Sequence, residues 1–147
     1  MKALLQRVSQ ASVNIDGKSV SAIGKGLLIL LGVEKGDTET CADYLARKAA
    51  DLRIFEDENG KMNLSVKDVQ GEVLVVSQFT LAGDTSHGNR PGFGTAARPE
   101  DANLLYQYFC NSMQKHNLII KTGVFQADMQ VSLINDGPVT FMLEKTI

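Results

Sequence analysis

Two segments of this chain lack the polar alternation of a half-wet strand, and they dictate what must surround them. The first is Gly26-Leu27-Leu28-Ile29-Leu30-Leu31-Gly32-Val33, and the second is Glu72-Val73-Leu74-Val75-Val76-Ser77-Gln78-Phe79. A strand with one face in water alternates polar and apolar residues, whereas a strand apolar on both faces is covered on both. The fold must therefore place structure on either side of a central sheet. Neither run approaches the roughly 20 residues that a membrane-spanning helix needs.

Two stretches have the spacing to supply part of that cover. Cys41, Leu45, Ala49 and Leu52 form one apolar stripe, which predicts a helix over 38–52, capped by Asp37 or Thr38 with Glu39 at the positive end of its dipole. Pro99 suits the first turn of a second helix, whose stripe is Ala102, Leu105, Phe109 and Met113. The remaining segments read as strands. Ala3–Val8 continues after a polar break as Ala11–Ile15, and Asp16-Gly17 is a hairpin signal before Lys18–Ile23. Further strands are read at Arg53–Phe55, at Met62, Leu64 and Val66, and at Met129, Val131 and Leu133. The last is Val139–Leu143, after a turn at Asn135-Asp136-Gly137-Pro138. Met62, Met113, Met129 and Met142 fall on apolar stripes or strands and read as core.

No G-x-G-x-x-G follows either apolar strand, which argues against a nucleotide-binding doubly wound sheet. The expected fold is α/β: one domain over residues 1–147, with two sheets in a barrel-like arrangement and two main helices on one outer face.

Charge and cysteine content narrow the function classes. Fifteen basic and seventeen acidic residues leave a formal charge of −2, which excludes a protein that coats long nucleic acid, DNA included. A short, local contact with RNA needs no such charge. Cys41 and Cys110 belong to no Cys/His cluster, so no metal is expected, and two reduced thiols suit a cytoplasmic protein. The opening Met1-Lys2-Ala3-Leu4-Leu5-Gln6-Arg7 turns polar too early for a secretory signal.

Three places carry residues that could do chemistry. Ser77-Gln78-Phe79-Thr80-Leu81 ends a buried strand in hydroxyls and an amide, held on a rigid element or merely satisfying the strand end. The glycine-rich 83–98 loop holds Asp84, His87 and Arg90; a Thr80–His87–Asp84 relay can be drawn, against the reading of a solvated loop histidine. The third is Asn135-Asp136-Gly137-Pro138-Val139-Thr140, where Pro138 upsets an ordinary hairpin and the Gly137–Pro138 bond is a candidate cis peptide.

With these segments in hand, the sequence resembles the D-aminoacyl-tRNA deacylases over its whole length. The resemblance runs through Leu5-Gln6-Arg7-Val8, Gly26–Lys35, Arg53-Ile54-Phe55 and Gly60-Lys61-Met62-Asn63-Leu64. It is strongest at the two signatures, Ser77-Gln78-Phe79-Thr80-Leu81 and Asn135–Thr140. It implies a β/β/α three-layer fold and a homodimer. The implied activity is hydrolysis of the ester between a D-amino acid and the acceptor end of tRNA, with action also on glycine mischarged on tRNA(Ala). It implies neither cofactor nor metal, no membrane and no DNA partner. By the same resemblance the catalytic residues are Ser77, Gln78, Phe79 and Thr80, and a Gly137-cis-Pro138 turn rejects L-esters from the partner's pocket. Arg7 and Asn135 are supporting residues. Two rival readings are a non-catalytic RNA-end or nucleotide-binding module on the same fold and a small-ester hydrolase working through Thr80 and His87.

Overall fold

A computed structural model describes residues 1–147. In chain order it contains β1 (Lys2–Ile15), β2 (Lys18–Ile23), β3 (Gly26–Gly32), α1 (Glu39–Asp51), β4 (Phe55–Glu56) and β5 (Met62–Leu64). There follow β6 (Glu72–Ser77), a 3-10 turn (Phe79–Ala82), α2 (Pro99–Gln114), β7 (Ile119–Thr122) and β8 (Gln130–Glu144). Six strands form one mixed sheet in the order β2-β1-β3-β6-β7, with β8 added on β1; β4 and β5 make a small second sheet. The parallel neighbours β3-β6 and β6-β7 need crossovers, and α1 and α2 lie on them.

The sheet curls until β2 approaches β7. Lys121 closes the gap, its Nζ donating to the Ala22 carbonyl at 2.8 Å and lying 3.5 Å from the Glu72 carboxylate. Glu72 in turn accepts from the Gly24 amide at 3.1 Å. This nearly closed barrel, a second sheet and two helices agree with the expected α/β architecture.

The unbroken apolar runs are explained by where alternate residues go. Leu27, Ile29, Leu31, Val73 and Val75 pack with Cys41, Leu45 and Ala49 of α1 and Phe109 and Met113 of α2. Leu28, Leu74 and Val76 point the other way, into the barrel with Val8, Val13 and Ile23. Period-two geometry thus sends one set to the helices and the other to the barrel interior. Both cysteines are buried and unpaired. No helix is long and apolar enough to cross a membrane.

The structure corrects several local expectations. The polar break after Val8 does not interrupt β1, which runs on through two register shifts against β8. The helix start is not capped by a side chain: Thr38 holds the cap position without such a bond, and the Asp37 carboxylate is engaged elsewhere. Asp37 accepts from the buried Met1 ammonium at 2.7 Å and from the Glu34 amide at 2.7 Å. Met62 and Met142 are exposed on strand edges, leaving Met113 as the buried one of the four methionines read as core.

The largest correction concerns Asn135–Pro138, which does not reverse the chain. Both flanks pair antiparallel with the same strand: Thr140 faces Gln6 and Asn135 faces Val8. One β1 residue therefore opposes four residues of β8, and Asp136–Val139 bulge out of the ladder. Extra residues in one strand of a pair leave the ladder in this way, and Pro138, lacking an N–H, fits a position that makes no ladder bond.

Candidate functional site

Strand β6 delivers the first signature to the edge of the central sheet. Its register with β3 ends at Leu31↔Ser77, and the Gln78 amide makes one further bond to the Leu31 carbonyl at 2.8 Å. The buried Tyr106 hydroxyl of α2 donates to the Val75 carbonyl at 2.9 Å and ties the strand to the helix layer. The chain then tightens into the 3-10 turn, with Leu81 N–H bonded to Gln78 O and Gly83 N–H to Thr80 O. The amides of Phe79 and Thr80 lie ahead of these bonds and make none of their own, as the first amides of any helical turn do.

Ser77 and Gln78 are half-buried, and Phe79 and Thr80 are exposed. The Gln78 side-chain amide donates to the Thr80 hydroxyl oxygen. No His, Asp or Glu side chain is hydrogen-bonded to that hydroxyl. His87 lies at the exposed tip of a hairpin pinned by reciprocal Asp84–Gly92 backbone bonds of 2.7 and 2.8 Å. Asp84 is turned to its own loop, accepting from the Ser86 amide at 2.9 Å and the Ser86 hydroxyl at 2.6 Å. Those two bonds, the hydroxyl's first, hold its carboxyl below the usual range. Thr80, His87 and Asp84 therefore form no hydrogen-bonded relay.

Beside the strand end opens a cavity of about 720 Å³. Ser77, Gln78 and Phe79 line one side, and Phe93, Phe125 and Met129 stand among the residues of the others. It is mostly apolar, with Ser77 and Gln78 as polar groups on the β6 side and Gln126 and Asp128 beside Phe125 and Met129, the usual make-up of a small-molecule site. Burial pushes the Cys110 thiol of α2 up to about 12, and burial, with Cys110 alongside, raises the Tyr106 hydroxyl well above its ordinary value. Neither is an acid or base near neutral pH. No three His, Cys, Asp or Glu side chains converge as a metal-ligand set.

The second signature is held elsewhere on the sheet, from two sides. Across the bulge, Asn135 Oδ1 accepts from the Val139 amide at 2.6 Å, and Asn135 Nδ2 donates to the Thr140 hydroxyl at 2.9 Å. From beneath, the buried Arg7 donates through Nε to the Asp136 carbonyl at 2.8 Å and through Nη1 to the Ile54 carbonyl at 2.8 Å. Gly137 has φ +144°, and its bond to Pro138 is cis. Sheet register keeps this bulge away from Thr80 of the same chain. The bulge is level with Arg7, whereas Ser77 is level with Leu31 and Ala3, four residues along β1 and three strand spacings across. That is roughly 20 Å along the sheet.

The structure thus places Ser77, Gln78, Phe79 and Thr80 together, and Arg7 and Asn135 around Gly137-Pro138. The residues that reading the sequence missed are Phe93, Phe125 and Met129 on the other cavity walls. Phe93 had one signal, an aromatic inside a glycine-rich loop; the other two had none.

The sequence model of the D-Tyr-tRNA(Tyr) deacylase family matches residues 4–144. A D-aminoacyl-tRNA deacylase of Geotalea daltonii is 62% identical over 144 residues, covering 98% of this chain and 96% of the relative. Another, from Thermodesulfovibrio yellowstonii, is 57% identical over 143 residues, covering 97% and 98%. Among solved structures, the c-Myc DNA Unwinding Element Binding Protein superposes with a TM-score of 0.94 at 46% identity over 100% of both chains. A structure described as a probable eukaryotic D-amino acid tRNA deacylase shares the fold at TM-score 0.82 and 16% identity, over 97% of each chain.

Proposed function

Because this chain belongs to the D-Tyr-tRNA(Tyr) deacylase family, we propose that it is a D-aminoacyl-tRNA deacylase, with all 147 residues acting as one catalytic domain in the cytoplasm. It hydrolyses the ester joining a D-amino acid to the acceptor end of tRNA and releases both. The observation that carries the mechanism is the end of β6, where the unpaired Phe79 and Thr80 amides sit beside a cavity and the Thr80 hydroxyl is hydrogen-bonded to Gln78 and to no base.

An aminoacyl ester is already activated, so positioning and oxyanion stabilisation supply most of what is needed. The ester carbonyl lies against the Phe79 and Thr80 amides, which donate to its oxygen as negative charge develops. Ser77 and Gln78 set the turn that aims them. Water is the attacking group, and the 2′-hydroxyl of the terminal ribose helps to orient it. Nothing in this sequence of steps calls on a cofactor.

Selectivity comes from the second signature. The Gly137-Pro138 bulge of one protomer enters the pocket of its partner and presents main-chain carbonyls where an L side chain would project. Glycine, having no side chain, is not rejected, so glycine mischarged on tRNA(Ala) is also a substrate. Two observations favour this arrangement in trans: the distance along the sheet between the bulge and Thr80, and the exposed character of β8. That long edge strand is paired on one side only and carries exposed Ile134, Phe141 and Met142, the composition of a strand that another chain covers.

The direct test is incubation of the purified protein with D-tyrosyl-tRNA while free D-tyrosine is followed; a binding module on the same fold releases none. Two substitutions probe the mechanism within that assay. His87→Ala is expected to keep most of the activity, and a loss of about a hundredfold, typical of removing a general base, would restore the relay. Thr80→Ser is expected to retain appreciable activity and Thr80→Ala to be damaging without being fatal. An aminoacyl adduct on Thr80 in intact-protein mass spectra would replace positioned water with nucleophilic catalysis.

A further inference from the structure

Two aromatic rings stand in the open at the mouth of the cavity. Phe79 is 58% exposed and Phe93 40% exposed, and their centroids lie 5.1 Å apart at an interplanar angle of 55°. Neither ring is loosely hung. Phe79 belongs to the 3-10 turn. Phe93 leaves the pinned Asp84–Gly92 pair, its carbonyl accepts from the Ala96 amide at 3.2 Å, and its ring lies against the backbone of Gly83. A Cβ at Gly83 would come within 3.2 Å of Phe93 Cε1 and 3.0 Å of the Thr80 carbonyl, so the absent side chain is what lets the ring settle there.

Single exposed apolar residues are common on any surface. A fixed aromatic pair beside a candidate catalytic turn is a different matter, because it offers a π-face at the point where a substrate leaves the site. A cation on the same turn adds to this. Lys2 Nζ donates to the Leu81 carbonyl at 3.4 Å and has no carboxylate partner. An aromatic pair and an ammonium without a counter-charge on one turn match the alternation of base and phosphate in single-stranded nucleic acid.

We propose that Phe79 and Phe93 form a stacking platform for the base of the nucleotide preceding the esterified one. This rests on the deacylase reading above. With the ester carbonyl at the Phe79 and Thr80 amides, the terminal nucleoside occupies the turn and cavity, and the next base is the first to emerge over the two rings. The role is one of positioning, and it needs no base-specific hydrogen bond.

The test compares three substrates: D-tyrosyl-adenosine, the same ester extended by one cytidylate, and an extended ester whose penultimate nucleotide is abasic. For the native protein, the cytidylate is expected to lower KM about tenfold, within the range that stacking a base on an aromatic side chain supplies. The abasic extension should recover little of that gain. Phe93→Leu should cut the gain to about twofold or less, and Phe93→Tyr should preserve it. The abasic arm uses the native protein and stands even if a variant fails to fold. Equal KM values for the abasic and intact extensions would overturn the proposal, as would a full tenfold gain in Phe93→Leu. A halved mass for Phe93→Leu in sedimentation would assign the rings to a subunit contact instead. If the native protein releases nothing from D-tyrosyl-tRNA itself, the deacylase reading fails first, a result distinct from any of these.

Discussion

Gly137→Ala is expected to strip the enzyme of its preference for D-esters. Gly137 has φ +144°, a region nearly closed to residues with a side chain, where holding one costs about 1–3 kcal/mol. Space is lacking too. A Cβ there would lie 2.6 Å from Val139 Cγ2, 3.0 Å from the Val139 amide nitrogen and 3.2 Å from Arg7 Nη2. The first two neighbours belong to the bulge itself, and the third is the buried side chain that supports it. Relief therefore moves the bulge, and with it the carbonyls that the proposal sets against the partner's pocket. Losing only about 1.4 kcal/mol of discrimination raises release of L-tyrosine from L-tyrosyl-tRNA about tenfold. Comparing initial rates on the two enantiomers checks this. An unchanged ratio in a folded variant would move the wall elsewhere.

Arg7→Met is expected to lower stability and selectivity together. The guanidinium is buried and donates to the Asp136 and Ile54 carbonyls; methionine fills much of the volume and donates nothing. Leaving the buried Ile54 carbonyl without its charged donor costs about 1–3 kcal/mol and the part-buried Asp136 carbonyl about 1 kcal/mol, so a total of about 2–4 kcal/mol follows. In a chain of this size that lowers Tm by about 5–12 °C. The nearby Asp136 carboxylate, 3.9 Å from Nε and exposed, adds little. Because Arg7 and Gly137 touch one bulge, the double variant should lose less selectivity than the two single losses predict. Full additivity would mean that Arg7 supports the fold and not the bulge.

The sheet's two-sided burial was legible because it needs only local information. Leu27 to Leu31 and Val73 to Val76 lack alternation, and strand geometry turns that directly into cover on both faces. The helices were legible for the same reason, through their stripes and Pro99. What reading along the chain misjudged depends on partners far away. Asp37 looks like a cap until the Met1 ammonium, 36 residues earlier, takes its carboxylate. Asn135-Asp136-Gly137-Pro138 has the residues of a reversal, and only the pairing of both flanks with β1 makes it a bulge. Pro138 was the one local hint.

The site divided along the same line. Ser77 to Thr80 form one contiguous segment, so their grouping was visible in advance. The cavity walls from Phe125 to Met129 come to β6 through the parallel β7, whose following Gly123 amide bonds to the Val75 carbonyl at 3.2 Å. No local signal announces a parallel neighbour reached across a helix. The Asn135 clamp was equally hidden, since an asparagine at that position reads as turn chemistry until its two bonds across the bulge are seen.

One comparison tests D-ester hydrolysis and its selectivity most directly. The native protein is mixed in parallel with D-tyrosyl-tRNA and L-tyrosyl-tRNA at equal concentration, and release of free tyrosine is followed. Fast release from the D-ester with the L-ester left intact is the predicted result, and the preference should persist in Thr80→Ala because the proposed wall is main chain. Equal release from both esters, or release from neither, would contradict it.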